Sequence, residues 1–126
     1  MSQSSLFRQV MLSEEQLRAG LVQSVDEVQI PWEPIAMTRI RATELEGMAG
    51  ISFQESFDDL DEGYFALLEF AESFSVMLKD YPEAPVKGTR ICTDPNGQRS
   101  MNRLEIILEA IHLSHDWLIW TVDGLE

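Results

Sequence analysis

Glu105, Glu109, His112, His115 and Asp116 are the residue types that bind metals, gathered within one short stretch of the chain. Glu109-x-x-His112 has the i, i+3 spacing of carboxylate-bridged di-metal bundles, in which two such pairs face one another across the bundle core. The chain contains two histidines and no second Glu-x-x-His. Glu109, His112 and His115 are therefore metal candidates without a third convincing partner, and two ligands do not define a coordination sphere. A plain alternative is a helix C-terminus, where a histidine interacts favourably with the last carbonyls and the dipole.

The run Asp58-Asp59-Leu60-Asp61-Glu62-Gly63 invites a calcium reading, which fails on spacing. Counted from Asp59, glycine falls at the fifth loop position rather than the sixth, and Phe70 stands where a bidentate glutamate is required. Helix N-capping explains the same acids. Cys92 with His112 or His115 would be a nucleophile and base, but Ile91-Cys92-Thr93 reads as a buried strand in which cysteine is a small hydrophobe. No G-x-S-x-G, glycine-rich phosphate loop or dinucleotide fingerprint is present. The reading is a non-enzyme with no catalytic residue, no cofactor and no resident metal.

Charge is the strongest compositional signal. The net charge of −13 opposes direct contact with nucleic acid, where Lys and Arg must replace counterions, and favours a basic protein partner. It is unevenly spread. Residues 42–78 carry nine acids (Glu44, Glu46, Glu55, Asp58, Asp59, Asp61, Glu62, Glu69, Glu72) and no Lys or Arg. Residues 79–103 reverse this, with Lys79, Lys87, Arg90, Arg99 and Arg103 against three acids. A one-sided block of this kind can steer an encounter with a basic surface; its ordinary reading is a solvated face.

The elements that must position these groups follow from patterning. Ser13-Glu-Glu-Gln16 is a capping box that opens a short helix to about Ser24. Val28 to Trp32 is extended, with Pro31 and Pro34 marking an edge or a connection. Alternation from Ile35 to Phe57 suggests a hairpin, 36–45 against 50–57, with a helix from Pro34 to Glu46 as its competitor. Tyr64, Phe65, Leu67, Leu68, Ala71, Phe74, Met77 and Leu78 recur at helical spacing, predicting one continuous core helix over 62–79. Val86 to Thr93 reads as a strand, Asp94-Pro-Asn-Gly97 as a turn, and Leu104, Ile107, Leu108 and Ile111 as the inner face of a second helix. Asp116 to Val122 reads as a terminal strand, with Trp117 and Trp120 more readily core than surface.

The fold class expected is α+β: a small antiparallel sheet with two or three helices packed on one face. The 126 residues are the size of a single domain, with 1–6 frayed. One cysteine, no signal-like segment and no apolar run of membrane length point to the cytoplasm and away from membranes. The function these observations suggest is an acidic inhibitor or antidote of the immunity type, covering the basic surface of a toxin or nuclease. Its partner-binding residues would be Glu55, Asp58, Asp59, Asp61, Glu62, Glu69 and Glu72, with Trp32 or Tyr64 as aromatic anchors. The alternatives are an acidic escort chaperone or adaptor, in which case a homodimer is expected, and a small metal-dependent enzyme.

Overall fold

Tyr64-Phe65-Ala66-Leu67-Leu68 is apolar at every position, and the chain uses both sides of it. A computed structural model describes residues 7–14, 33–58, 61–70, 75–93 and 101–122, and in it this run is the middle of a long strand. In chain order the described elements are β1 (Phe7–Val10), β2 (Glu33–Thr38), α1 (Ala42–Ala49), β3 (Gln54–Asp58), β4 (Asp61–Phe70), β5 (Ser75–Asp80), β6 (Thr89–Thr93), α2 (Met101–Ala110), a 3-10 turn (His115–Trp117) and β7 (Leu118–Thr121). The seven strands form one sheet, ordered β1-β4-β5-β6-β2-β7, with β3 also paired to β4. Every described pairing is antiparallel. The architecture is α+β as expected, but the sheet is not small.

The helix expected over 62–79 is instead β4 and β5, paired from Tyr64↔Asp80 to Glu69↔Ser75. The error has a physical origin. A strand buried on both faces is apolar without alternation, and such a run satisfies helical spacing by accident. Ala66, Leu68 and Phe70 of β4 join Val76 and Leu78 of β5 and Ile91 of β6 in the main core, while Phe65, Met77 and Cys92 pack with Leu12 on the opposite face. The side-chain period of two thus sends successive residues of the same run into separate cores.

The 36–45/50–57 hairpin is also absent. Its first half is β2 followed by α1, and its second half contributes β3, which pairs with β4. β2 pairs instead with β6 and β7, with bulges on both sides. The helix proposed as the alternative exists, but it starts after Arg41 rather than at Pro34. Asp80, at the end of β5, explains that start. Its carboxylate accepts the Ala42 backbone N–H at 2.9 Å and pairs with Arg41 Nε at 3.0 Å. A buried acid from a distant strand therefore supplies the cap that the local sequence lacks. Glu44 Oε1 accepts the Arg41 N–H at 2.9 Å, and Gly50 at φ 69° ends the helix.

α2 forms where the spacing predicts, with Leu104, Ile107, Leu108 and Ile111 all buried. These side chains and Leu45 of α1 lie in the same core as Ile35, Leu78 and Ile91, so both described helices cover one face of the sheet. Part of the expected 86–93 strand is realised as β6, and part of the expected 116–122 strand as β7. The tryptophans differ from expectation. Trp117 belongs to the 3-10 turn, and both it and Trp120 are exposed, because β7 lies at the end of the sheet. The expected helix after Ser13, the extended segment 28–32 and the turn at 94–97 fall largely or wholly outside the described residues.

Candidate functional site

The β3–β4 hairpin is the element that organises the acidic run. Its register pairs Gln54↔Phe65, Glu55↔Tyr64, Ser56↔Gly63, Phe57↔Glu62 and Asp58↔Asp61. Asp58 and Asp61 are thus paired in the backbone register at the end of the ladder. Residues 59–60 join them and lie outside the described residues, as do Trp32 and Glu72. β5 pairs with β4 only from Tyr64 onward, so the tip of the hairpin runs past the end of the β5 ladder. Gly63 is closely packed where the β5 ladder ends: a Cβ on it would meet Phe65 Cζ at 2.9 Å, Tyr81 Cδ1 at 3.1 Å and the Asp80 carbonyl at 3.2 Å.

The other sequence-predicted partner residues separate into two groups. Glu55 is exposed on β3, and half-buried Tyr64 is its cross-strand neighbour, so both continue the hairpin toward the sheet. Glu69 lies at the far end of β4, roughly 26 Å from Asp61 at 3.3 Å per strand residue. There it pairs with Arg8 at 2.5 Å. Glu44 and Glu46 accept backbone N–H groups of Arg41 and Phe53, each at 2.9 Å, and so serve α1 and its exit. Among the described residues the acidic block is therefore divided: Asp58, Asp61 and Glu62 lie at the hairpin tip, while Glu44, Glu46 and Glu69 are engaged elsewhere in the fold.

Sequence reasoning missed what happens to two cations. Lys79 and Arg90 are direct cross-strand partners on β5 and β6. Lys79 is buried, and the Arg90 guanidinium lies over the Tyr81 ring, 5.2 Å from its centroid, a favourable cation–π arrangement. Both cations thus lie on the face of the sheet that carries Phe65 and Tyr81. The alternation of β5 and β6 would have shown this, had the segment been read as a strand.

Edge continuity is maintained by two glutamines that sequence reasoning also passed over. β1 and β3 lie along the same edge of β4, β1 opposite 67–70 and β3 opposite 61–65. Between them the Gln9 side-chain amide donates to the Ser52 carbonyl and accepts the Ser52 N–H, the latter at 2.9 Å. The Gln54 amide accepts the Leu12 N–H at 2.6 Å and donates to the Leu12 carbonyl at 2.9 Å. Each amide takes the place of a peptide group, satisfying backbone atoms where the ladder is broken.

The groups considered for catalysis hold structural positions. His112, at φ 59°, is the left-handed residue of a Schellman motif: Leu113 N–H donates to the Leu108 carbonyl at 2.9 Å and His112 N–H to that of Glu109 at 3.2 Å. His115 opens the 3-10 turn capped by Ser114, whose hydroxyl accepts the Asp116 N–H at 3.1 Å. Glu109, His112 and His115 are all exposed, and among the described residues no group of three or more His, Cys, Asp or Glu is placed to hold a metal ion. Because a non-glycine residue is disfavoured at positive φ, His112→Gly is expected to stabilise the fold by about 1 kcal/mol, read as a raised urea midpoint at unchanged m. A metal ligand at this position would give the opposite sign in metal-loaded protein.

Burial pushes the Cys92 thiol up from 9.0 to about 11, although Lys79 and Arg90 pull it down. At neutral pH the group is protonated and unreactive. An unfolded thiol ionises near the ordinary value, so between about pH 9 and 11 the unfolded chain releases a proton that the folded chain retains. Stability is thus expected to fall as pH rises through that window, by at most about 2–3 kcal/mol at 1.36 kcal/mol per pKa unit. Cys92→Ala should remove the cysteine-specific part of this slope. At pH 8 modification of Cys92 by a disulfide reagent should run at the rate of chain opening; fast modification of the folded protein would contradict the burial.

No helix among the described residues is long and apolar enough to cross a membrane. Comparison with protein-family models, curated proteins and solved structures finds no match to this chain.

Proposed function

We propose that the protein is a non-catalytic binding module, an inhibitor or antidote that covers the basic surface of a partner protein such as a toxin or nuclease. The observation that supports this reading is the acidic hairpin tip. Asp58, Asp61 and Glu62 are clustered by backbone register at the end of a two-stranded ribbon. The net charge of −13 favours a negative field around the molecule. Such a field speeds capture of a cationic surface and competes with anionic substrates for it. Glu55 and Tyr64 extend the contact toward the sheet, Tyr64 as the aromatic anchor; Glu69 contributes less, being paired with Arg8.

The experiment compares the wild-type protein with a variant carrying Asp58→Asn, Asp59→Asn, Asp61→Asn and Glu62→Gln together. Proteins captured from lysate at low salt by the first and lost by the second are identified, and their association is timed by stopped flow. The on-rate is expected to fall about tenfold or more on neutralisation, and to fall with rising salt as the Debye length shrinks from about 30 Å at 0.01 M to about 8 Å at physiological strength. Neutralising Glu105 and Glu109 on α2 should have a smaller effect. Equal effects from the two sets, or association indifferent to salt, would end this reading.

A further inference from the structure

Two short strands share one edge of β4, and neither spans it alone. β1 lies opposite 67–70 and β3 opposite 61–65, so Ala66 has a register partner in neither. Cross-strand partners share a face of a sheet. Gln9, opposite Leu68, therefore stands on the face of the main core, and Gln54, opposite Phe65, on the face of the smaller one. From these two faces the side-chain amides cross the break in opposite directions. Gln9 of β1 grips the backbone of Ser52, just before β3, accepting its N–H at 2.9 Å and donating to its carbonyl. Gln54 of β3 grips the backbone of Leu12, just after β1, accepting its N–H at 2.6 Å and donating to its carbonyl at 2.9 Å. Leu12 is itself buried against Phe65, Met77 and Cys92. Beyond its ladder and the Phe7–Phe70 ring contact, β1 is lightly held: none of its residues is fully buried, and its Arg8–Glu69 ion pair is exposed.

We infer that β1 and β3 open from β4 as one cooperative unit, and that the N-terminal strand is thereby a latch on the base of the acidic hairpin. Each clamp joins one strand to the chain that leads into or out of the other. Lifting either strand from β4 therefore breaks bonds that hold its neighbour, and the second strand then leaves more readily than the first. By reciprocity, whatever steadies one of them steadies the other by the same factor. The two clamps are unequal. The Leu12 bonds are part-buried, where a lost partner is not replaced by water, while the Ser52 bonds are exposed and contribute less. The joint opening also breaks the bond from Phe53 N–H to Glu46 of α1. β5 and β6 consist almost wholly of buried residues and stay paired while the edge opens, because their own opening exposes far more apolar surface. The latch does not depend on what the hairpin tip binds, so it can fail without the proposed function failing, and the reverse.

Hydrogen exchange of the full chain, followed amide by amide over a series of low urea concentrations, tests this. In the wild-type protein the bonded amides of 7–10 and 54–57, with those of Leu12 and Ser52, are expected to exchange through one opening. They should share a single urea dependence, weaker than that of β5 and β6, because less surface is exposed than in global unfolding. This arm needs no variant to fold. Gln9→Met and Gln54→Met each remove one amide at similar side-chain volume, and each is read at the bond it does not make. Gln9→Met should speed exchange of the Leu12 N–H about fivefold, and Gln54→Met that of the Ser52 N–H about tenfold or more, for two lost hydrogen bonds in each case. Reading across the break separates coupling from the loss of a local bond. The inference is overturned if β1 amides exchange through a smaller opening than β3 amides, or if all of them exchange only with the urea dependence of β5 and β6. It is equally overturned by a variant that leaves the other clamp's amide within about twofold of the wild-type rate.

Discussion

Gly88→Ala is expected to destabilise the protein by about 3–5 kcal/mol, the sum of a backbone and a steric cost. Gly88 has φ 142°, a conformation that residues with a Cβ rarely adopt. A Cβ there would stand 2.1 Å from the Thr38 carbonyl oxygen and 3.1 Å from the Arg39 Cα. Those atoms belong to backbone that cannot move independently. Thr38 pairs with Thr89 at the start of β6, the Thr89 hydroxyl donates to the Ile40 carbonyl at 2.7 Å, and the Thr38 hydroxyl both accepts the Ile40 N–H and holds Trp117. Relief of the clash would therefore shift the junction of β2, β6 and β7 together. Gly47 makes the contrast. It lies within α1 with nothing within 4 Å of its would-be Cβ, so Gly47→Ala should stabilise by roughly 0.5–1 kcal/mol through helix propensity. Urea unfolding of both variants decides the matter. A Gly88→Ala protein within about 1 kcal/mol of wild type would mean that the close approach of Gly88 to β2 does not exist.

Phe65→Ala carries the second large effect, a loss of about 3–5 kcal/mol. Phe65 is buried on the face of β4 opposite the helices, against Leu12, Met77 and Cys92, and meets Tyr81 edge to face at 5.7 Å and 76°. Truncation would remove the largest member of this smaller core, where few neighbours can collapse into the space. It should also couple to Gly63. Since the Phe65 ring is the nearest obstacle to a Cβ at Gly63, Gly63→Ala should cost less in the Phe65→Ala background, by 0.5 kcal/mol or more in a double-mutant cycle. Additive costs would show that the two positions do not share this contact.

What was legible in the sequence was local. α2 announced itself because Leu104, Ile107, Leu108 and Ile111 alternate with exposed Glu105 and Glu109, and only a helix with one wet face produces that pattern. The antiparallel α+β class, helices on one face and the burial of Cys92 agree with residue-level reasoning. The acids of 58–62 were visible as a cluster, but not as a hairpin tip.

Tertiary structure decided the rest. Tyr64 to Phe70 became strand because β1, β3 and β5 all pair with it and cores lie on both faces; when apolar residues fill both faces, periodicity says little about secondary structure. α1 begins at Ala42 because Asp80, thirty-eight residues away, caps it. The acidic block was divided for the same reason, since strand pairing sent Glu69 to Arg8 and kept Asp58 and Asp61 at the tip. Composition and helical amphipathicity are properties of neighbouring residues and can be read along the chain. Strand order, register and the burial of Lys79 beside Arg90 depend on contacts between distant segments, and the physical forces that set them act only once those segments meet.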